Sequence, residues 1–225
     1  METKLSTGTA VMDWLLEGGY DKDSITTIYG PAGSGKTNLA LMFVAHSMTD
    51  KVVIYVDTEG SFSLARFKQI CPNYKKALDR IIFVRPVSLE DQKDMLLNLK
   101  KMMSPKIGAV IIDTIATLYR VELSQSRNVF DANRNLRIQL GELGDITTKF
   151  HVPILITNQV YADLKDPERG KVKAIGGDII KYASKTLIEL QNLEDSKKKA
   201  ILRKHRSLPE KEVVFRISEQ GLEES

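Results

Sequence analysis

The chain has 225 residues, 42% of them hydrophobic and 28% charged, which is globular composition with enough length for one α/β domain around a large core. No stretch approaches the roughly twenty apolar residues of a membrane span, and the opening METKLSTGTAVMDW lacks the apolar segment of a secretory signal, so a soluble, cytoplasmic protein without a membrane partner is expected. The net charge is +4, and the single cysteine, Cys71, excludes an internal disulfide and a Cys-rich zinc site.

In chain order, the first β-branched run is Ile25 to Tyr29. It is followed by Gly30, Pro31, Ala32, Gly33, Ser34, Gly35, Lys36 and Thr37, which match G-x-x-x-x-G-K-[ST] at every fixed position, and then by the helix-like Asn38 to Met48. Strand, glycine-rich loop and helix together make a cradle for ATP or GTP. Backbone N–H groups turn inward around the phosphates, and the helix N-terminus adds partial positive charge. In that arrangement Lys36 reaches the β- and γ-phosphates and the Thr37 hydroxyl holds Mg²⁺, with Asn38 counted among the nucleotide-binding residues.

A second strand, Lys51 to Val56, leads into Asp57-Thr58-Glu59-Gly60. Glu59 falls at the rim, where a carboxylate can take a proton from the water that attacks a γ-phosphate. Asp57 reads as a hydrogen-bonded strand-end residue. A strand at Ile81 to Arg85 and a helix at Leu89 to Met103 come next, the helix with Leu89, Met95, Leu96, Leu99 and Met103 on one face. Ala109 to Asp113 is an apolar strand ending in a carboxylate, the arrangement that lets Asp113 hold Mg²⁺ through water opposite Thr37. The helix Val129 to Phe150 then carries Leu136, Leu140, Leu143 and Ile146, and the strand Pro153 to Asn158 ends beside Gln159, an amide able to touch a γ-phosphate.

Strands alternating with helices predict a parallel sheet with right-handed crossovers and ligands at the carboxyl ends of the strands. After Gly177 the pattern changes to three strand-like pieces, Thr186 to Gln191, Ala200 to Lys204 and Val213 to Ile217, whose short connections imply an antiparallel extension. No internal repeat or interdomain linker interrupts the chain, so one domain is expected over residues 1–225. Two polar segments, Ser124 to Arg127 and Ala162 to Gly177, are expected to be disordered. The positive surplus is local, since Lys165 to Arg206 holds twelve Lys/Arg against six Asp/Glu. It predicts either a polyanion-binding face or a solvated charged surface. Arg203-Lys204-His205-Arg206 is the densest cluster, and phosphate contact competes there with a solvated strand edge.

The chain resembles the RecA/RadA recombinase family, most closely its archaeal RadB branch. The likeness rests on LSTG at Leu5 to Gly8, YVDTEGSF at Tyr55 to Phe62, IIDTIATLYR at Ile111 to Arg120, ITNQV at Ile156 to Val160, AIGGDII at Ala174 to Ile180 and VFRISEQG at Val214 to Gly221. It implies a RecA-like P-loop NTPase core, with a mostly parallel twisted sheet, flanking helices and an antiparallel C-terminal extension. It also implies ATP and Mg²⁺ as cofactors, Glu59 as the water-activating glutamate, Gln159 as the γ-phosphate sensor and Arg66 as the adenine-side arginine. Arg66 otherwise reads as a surface helix charge.

Two DNA-binding loops are implied after the Asp113 and Gln159 strands. Arg120 and Arg127 are candidates in the first, and Lys165, Arg169, Lys171 and Lys173 in the second; Arg203, Lys204 and Arg206 are added by charge. Contact through phosphate predicts sequence-independent binding to single-stranded or branched DNA. RadA and a Holliday-junction resolvase are the protein partners implied. RadA-like recombinases carry an N-terminal helix-hairpin-helix domain and a docking linker, whereas here the core starts within the first ten residues. The expectation is a weakly hydrolysing, non-filamenting paralogue that assists homologous recombination. The alternatives are an active strand-exchange recombinase and a KaiC-like signalling ATPase or phosphotransferase that does not bind DNA.

Overall fold

The computed structural model describes residues 3–47, 51–125, 129–162, 172–174 and 176–225. A short antiparallel pair, β1 (Lys4–Leu5) with β2 (Tyr20–Asp21), brackets helix α1 (Ala10–Leu16), which Thr9 caps by accepting the Met12 N–H. The P-loop strand β3 (Ile25–Gly30) follows, and then helix α2 (Lys36–Ser47). Most of α2 is buried, including Leu39 to Val44, so it is a core helix and not an amphipathic surface one.

The sheet continues with β4 (Val52–Asp57), helices α3 (Leu64–Ile70) and α4 (Tyr74–Leu78), β5 (Ile81–Val84), α5 (Leu89–Met102) and β6 (Ile107–Asp113). Helices α6 (Thr117–Gln125) and α7 (Val129–Phe150) precede β7 (Ile154–Ala162). The short strand β8 (Val172–Ala174) pairs antiparallel with β7, and α8 (Gly177–Ala183) leads to β9 (Thr186–Asn192), β10 (Lys197–Lys204), β11 (Lys211–Ile217) and β12 (Leu222–Glu224). Part of both segments expected to be disordered is therefore regular. Ser124 and Gln125 end α6, Ala162 ends β7, residues 172–174 are strand, and residues 126–128, 163–171 and 175 lie outside the described residues.

The main sheet runs β12-β11-β10-β9-β3-β7-β6-β4-β5. Strands β5, β4, β6, β7, β3 and β9 are parallel, and from β9 to β12 each neighbour is antiparallel, as the shift in sequence pattern predicts. One core lies on the α2 face of the sheet, with Phe43, Phe67, Ile111 and Phe215, and the other lies under α5 and α7, with Leu96, Leu136, Leu140 and Ile146. The expected apolar stripe of α7 is the buried one. A buried amide pair joins α5 to α7, Gln92 Nε2 donating to Gln139 Oε1 at 2.6 Å, a pairing that the apolar stripes alone do not reveal.

Register sets the site. β4 pairs with β6 so that Asp57 lies opposite Asp113, and β3 pairs with β7 so that Gly30 lies opposite Gln159. The glycine-rich loop, both strand-end aspartates and the Gln159 amide thus emerge at one end of the sheet, the carboxyl end of its parallel strands.

Candidate nucleotide site

The loop between β3 and α2 bends at two left-handed glycines, Gly33 at φ 72° and Gly35 at φ 104°, conformations that a side chain opposes. Gly30 has no room for one either: a Cβ there would stand 2.5 Å from the Leu190 carbonyl oxygen. Inside the loop the Lys36 ammonium is buried. It donates to the carbonyls of Gly30 at 2.9 Å and Pro31 at 2.8 Å. Burial lowers the Lys36 pKa, while the charges of Asp113 and Glu59 act the other way. A buried ammonium on a glycine cradle, with the Ser34 hydroxyl buried and without a hydrogen-bond partner among the described residues, fits an anionic phosphate group.

Asp113, fully buried at the end of β6, collects hydroxyls. Its Oδ2 accepts from Thr37 Oγ1, Tyr55 OH and Ser61 Oγ, each at 2.9 Å, and its Oδ1 accepts from Thr157 Oγ1. The Thr37–Asp113 pairing expected of a magnesium site is therefore present, and oxygen donors of this kind suit that ion. Tyr55, Ser61 and Thr157 escape sequence reasoning, because each lies inside an apolar run or a motif whose marked residue is another. Asp57 is the hydrogen-bonded strand-end residue expected, accepting the backbone N–H of Ser61 at 2.9 Å and of Phe62 at 3.2 Å.

Glu59 stands at the rim. Its Oε1 accepts from Gln159 Nε2 at 2.8 Å and from the Thr117 hydroxyl, so residues a hundred positions apart in sequence meet on one oxygen. Thr117 lies inside the IIDTIATLYR stretch, where Asp113 is the residue marked. Behind it, the Asp113–Thr114 peptide is cis, and Thr58 Oγ1 both donates to the Thr114 carbonyl at 2.8 Å and accepts from the Thr114 N–H at 3.0 Å.

Arg66, at the start of α3, is half-buried beside the P-loop helix. It donates from Nε to Asn38 Oδ1 at 2.7 Å and from its terminal nitrogens to the carbonyls of Ser218 at 2.7 Å and Glu219 at 3.0 Å. It is thus a clamp between α2 and the β11–β12 turn, not the freely solvated helix charge that a sequence reading also allows.

The residues expected to contact DNA fare differently. Arg120 is exposed on α6, at the carboxyl end of the sheet. Arg127, Lys165, Arg169 and Lys171 lie outside the described residues, and Lys173 is placed only by its backbone in β8. The Arg203 to Arg206 cluster lies at the end of β10 and just beyond it, past the pairing with β11, which stops at Leu202. Its cations face their own chain. Arg203 pairs with Glu189 and Glu210, both at 2.7 Å; Lys204 Nζ donates to the Lys181 and Ser184 carbonyls; Arg206 pairs with Asp23 at 2.5 Å.

A P-loop on an inner strand of a parallel sheet, a strand-end carboxylate facing its threonine and antiparallel C-terminal strands define a RecA-like α/β core. The match to known proteins is narrower than that class. The Rad51 family model matches residues 2–225, and the chain belongs to that family. It is 36% identical over 97% of its length to "DNA repair and recombination protein RadB" of Methanobrevibacter smithii, covering 95% of that relative. It is 40% identical over 95% of its length to the protein of the same name from Methanococcus maripaludis, covering 97% of it. A solved structure described as "Crystal structure of the RadB recombinase" superposes with a TM-score of 0.82 at 34% identity, over 98% of this chain and 99% of the other.

Proposed function

We propose that this protein is a RadB-type, ATP- and DNA-binding protein of homologous recombination and DNA repair, which hydrolyses ATP weakly and assists a recombinase without filamenting itself. The observation that carries the ATPase reading is the meeting of Glu59 and Gln159 beside the glycine loop. The RadB-named relatives, matched over nearly their whole length, support the recombination role.

Bound ATP with Mg²⁺ supplies a phosphoanhydride bond that water can cleave. Lys36 exchanges its two loop carbonyls for β- and γ-phosphate oxygens, keeping its buried charge compensated. Thr37 would hold Mg²⁺ with Asp113 acting through water beside it, and the ion would offset charge on the phosphates. Glu59 takes the proton of the attacking water, and Gln159 links the γ-phosphate position to β7 and the segment beyond it. Arg66 borders the base side. The whole chain acts as one domain.

The DNA reading places backbone contacts at the end of the sheet that carries the loops after β6 and β7, with Arg120 and Lys173 at their described margins. A titration of single-stranded and branched DNA, with and without ATP and at two salt concentrations, tests it. Affinity should fall steeply with salt and change with nucleotide. Lys171→Ala combined with Lys173→Ala should lower the salt slope by roughly 0.7 to 0.9 per contact removed and leave ATP affinity unchanged. Binding that ignores salt would instead favour a signalling ATPase on the same core. Filaments on DNA in electron micrographs would favour an active strand-exchange recombinase.

A further inference from the structure

Glu59 is held by two elements, and only one of them carries the expected sensor. Gln159 approaches from the end of β7; Thr117 approaches as the first residue of α6, the helix that leads to residue 125 and the segment after it. A threonine hydroxyl has one hydrogen. Since that hydrogen goes to Glu59 Oε1, Thr114 is the donor in the 2.7 Å contact between the Thr114 and Thr117 hydroxyls. Donation therefore runs from Thr114 to Thr117 to Glu59, in the same direction as the Gln159 amide. Oε1 is engaged by both partners, which leaves Oε2 as the oxygen available to a water.

The restraint matters because Glu59 is exposed and is followed by Gly60 in a left-handed conformation, φ 68°, so its own loop does little to fix the carboxylate. We propose that Thr117 is a positioning residue for Glu59: its hydroxyl turns the carboxylate so that Oε2 accepts from the attacking water, and it makes that orientation depend on α6 as well as on β7. This rests on the role given to Glu59 above. It also gives the first loop a route to the nucleotide that does not pass through Gln159, since a shift of α6 moves the Thr117 hydroxyl directly.

The test compares Thr117→Val, Thr117→Ser and Glu59→Gln in the full chain. In steady-state ATP hydrolysis Thr117→Val should lower kcat about tenfold with KM for ATP unchanged, the scale of one lost hydrogen bond to a charged group. Thr117→Ser, which keeps the hydroxyl, should stay near the parent. A second measurement needs no nucleotide: the ¹³C carboxyl resonance of Glu59, assigned by its loss in Glu59→Gln, should move in Thr117→Val and not in Thr117→Ser. A Thr117→Val protein with the parent's kcat and resonance overturns the proposal. So does a Thr117→Ser protein as impaired as Thr117→Val, because the backbone and not the hydroxyl would then matter. If the parent and Glu59→Gln turn over alike, it is the hydrolysis reading that fails, and the resonance alone decides whether Thr117 holds Glu59.

Discussion

Around Asp113 and Glu59, donors from α2, β4, the segment after β4, α6 and β7 converge on two carboxylates to which, among the described residues, no cationic side chain is bonded. At the far end of β10, Arg203, Lys204 and Arg206 have each found an oxygen of their own chain. Both regions look like ligand sites as text, one as a motif and the other as a run of charge. They differ in what their groups already hold. A carboxylate ringed by hydroxyls can exchange a neutral partner for an ion at little cost, whereas an arginine paired with a buried glutamate leaves that charge stranded if it turns to a phosphate. Preorganised neutral donors therefore mark a site better than a local surplus of cations does.

Four substitutions test that contrast, from the strongest effect to the weakest. Glu59→Gln should bind ATP as the parent does and hydrolyse it at least ~100-fold more slowly, because a general base acts on the water and hardly on the ground-state nucleotide; steady-state turnover and calorimetry check the two halves. Lys36→Ala should lose about tenfold to a hundredfold in ATP affinity while staying folded, the value of a charge-assisted contact. Calorimetry with unchanged affinity would remove the glycine loop from the site.

Arg203→Ala should unfold at lower denaturant, by about 1–3 kcal/mol once solvent screening of this partly exposed arginine is allowed for, since Glu189 stays behind as a nearly buried charge. Its DNA affinity should change little. Lost affinity without lost stability would return the β10 cluster to the DNA face. The weakest effect concerns His205, whose side chain is buried and whose pKa burial lowers, with Asp21 and Glu17 acting upward and Lys4 and Arg206 downward. The unfolded chain then binds the proton more readily, so this contribution to stability is complete above the unfolded value of about 6.5 and is lost as pH falls through the folded value. His205→Asn should reduce the stability difference between pH 7.5 and pH 5.5, by under ~1 kcal/mol, in urea titrations.

The fold was legible because its signals are periodic. The eight longer strands and helices α2, α5 and α7 lie within a few residues of their expected spans, since alternation and the helical stripe report burial directly. Lys36, Thr37, Asp113, Glu59 and Gln159 were legible because strand ends and fixed spacing set where they emerge. Tyr55, Ser61, Thr117 and Thr157 were not, because their hydroxyls matter only through register between strands distant in the chain. The contacts of Arg66 were not legible either, because the Ser218 and Glu219 carbonyls that hold it belong to a turn about 150 residues later, which no local pattern announces.

The position of β3 has a consequence for how the molecule is made. Its two neighbours are β7 and β9, in registers that join Thr26 to Leu155 and to Thr186. A growing chain that has reached the end of α7 has the glycine loop but neither strand that frames it, and contacts of such long sequence separation form late. The glycine cradle is therefore finished only after β7 and β9 have joined the sheet. A ligand of that cradle would stabilise the completed protein by mass action, yet it could not template the first two thirds of the chain.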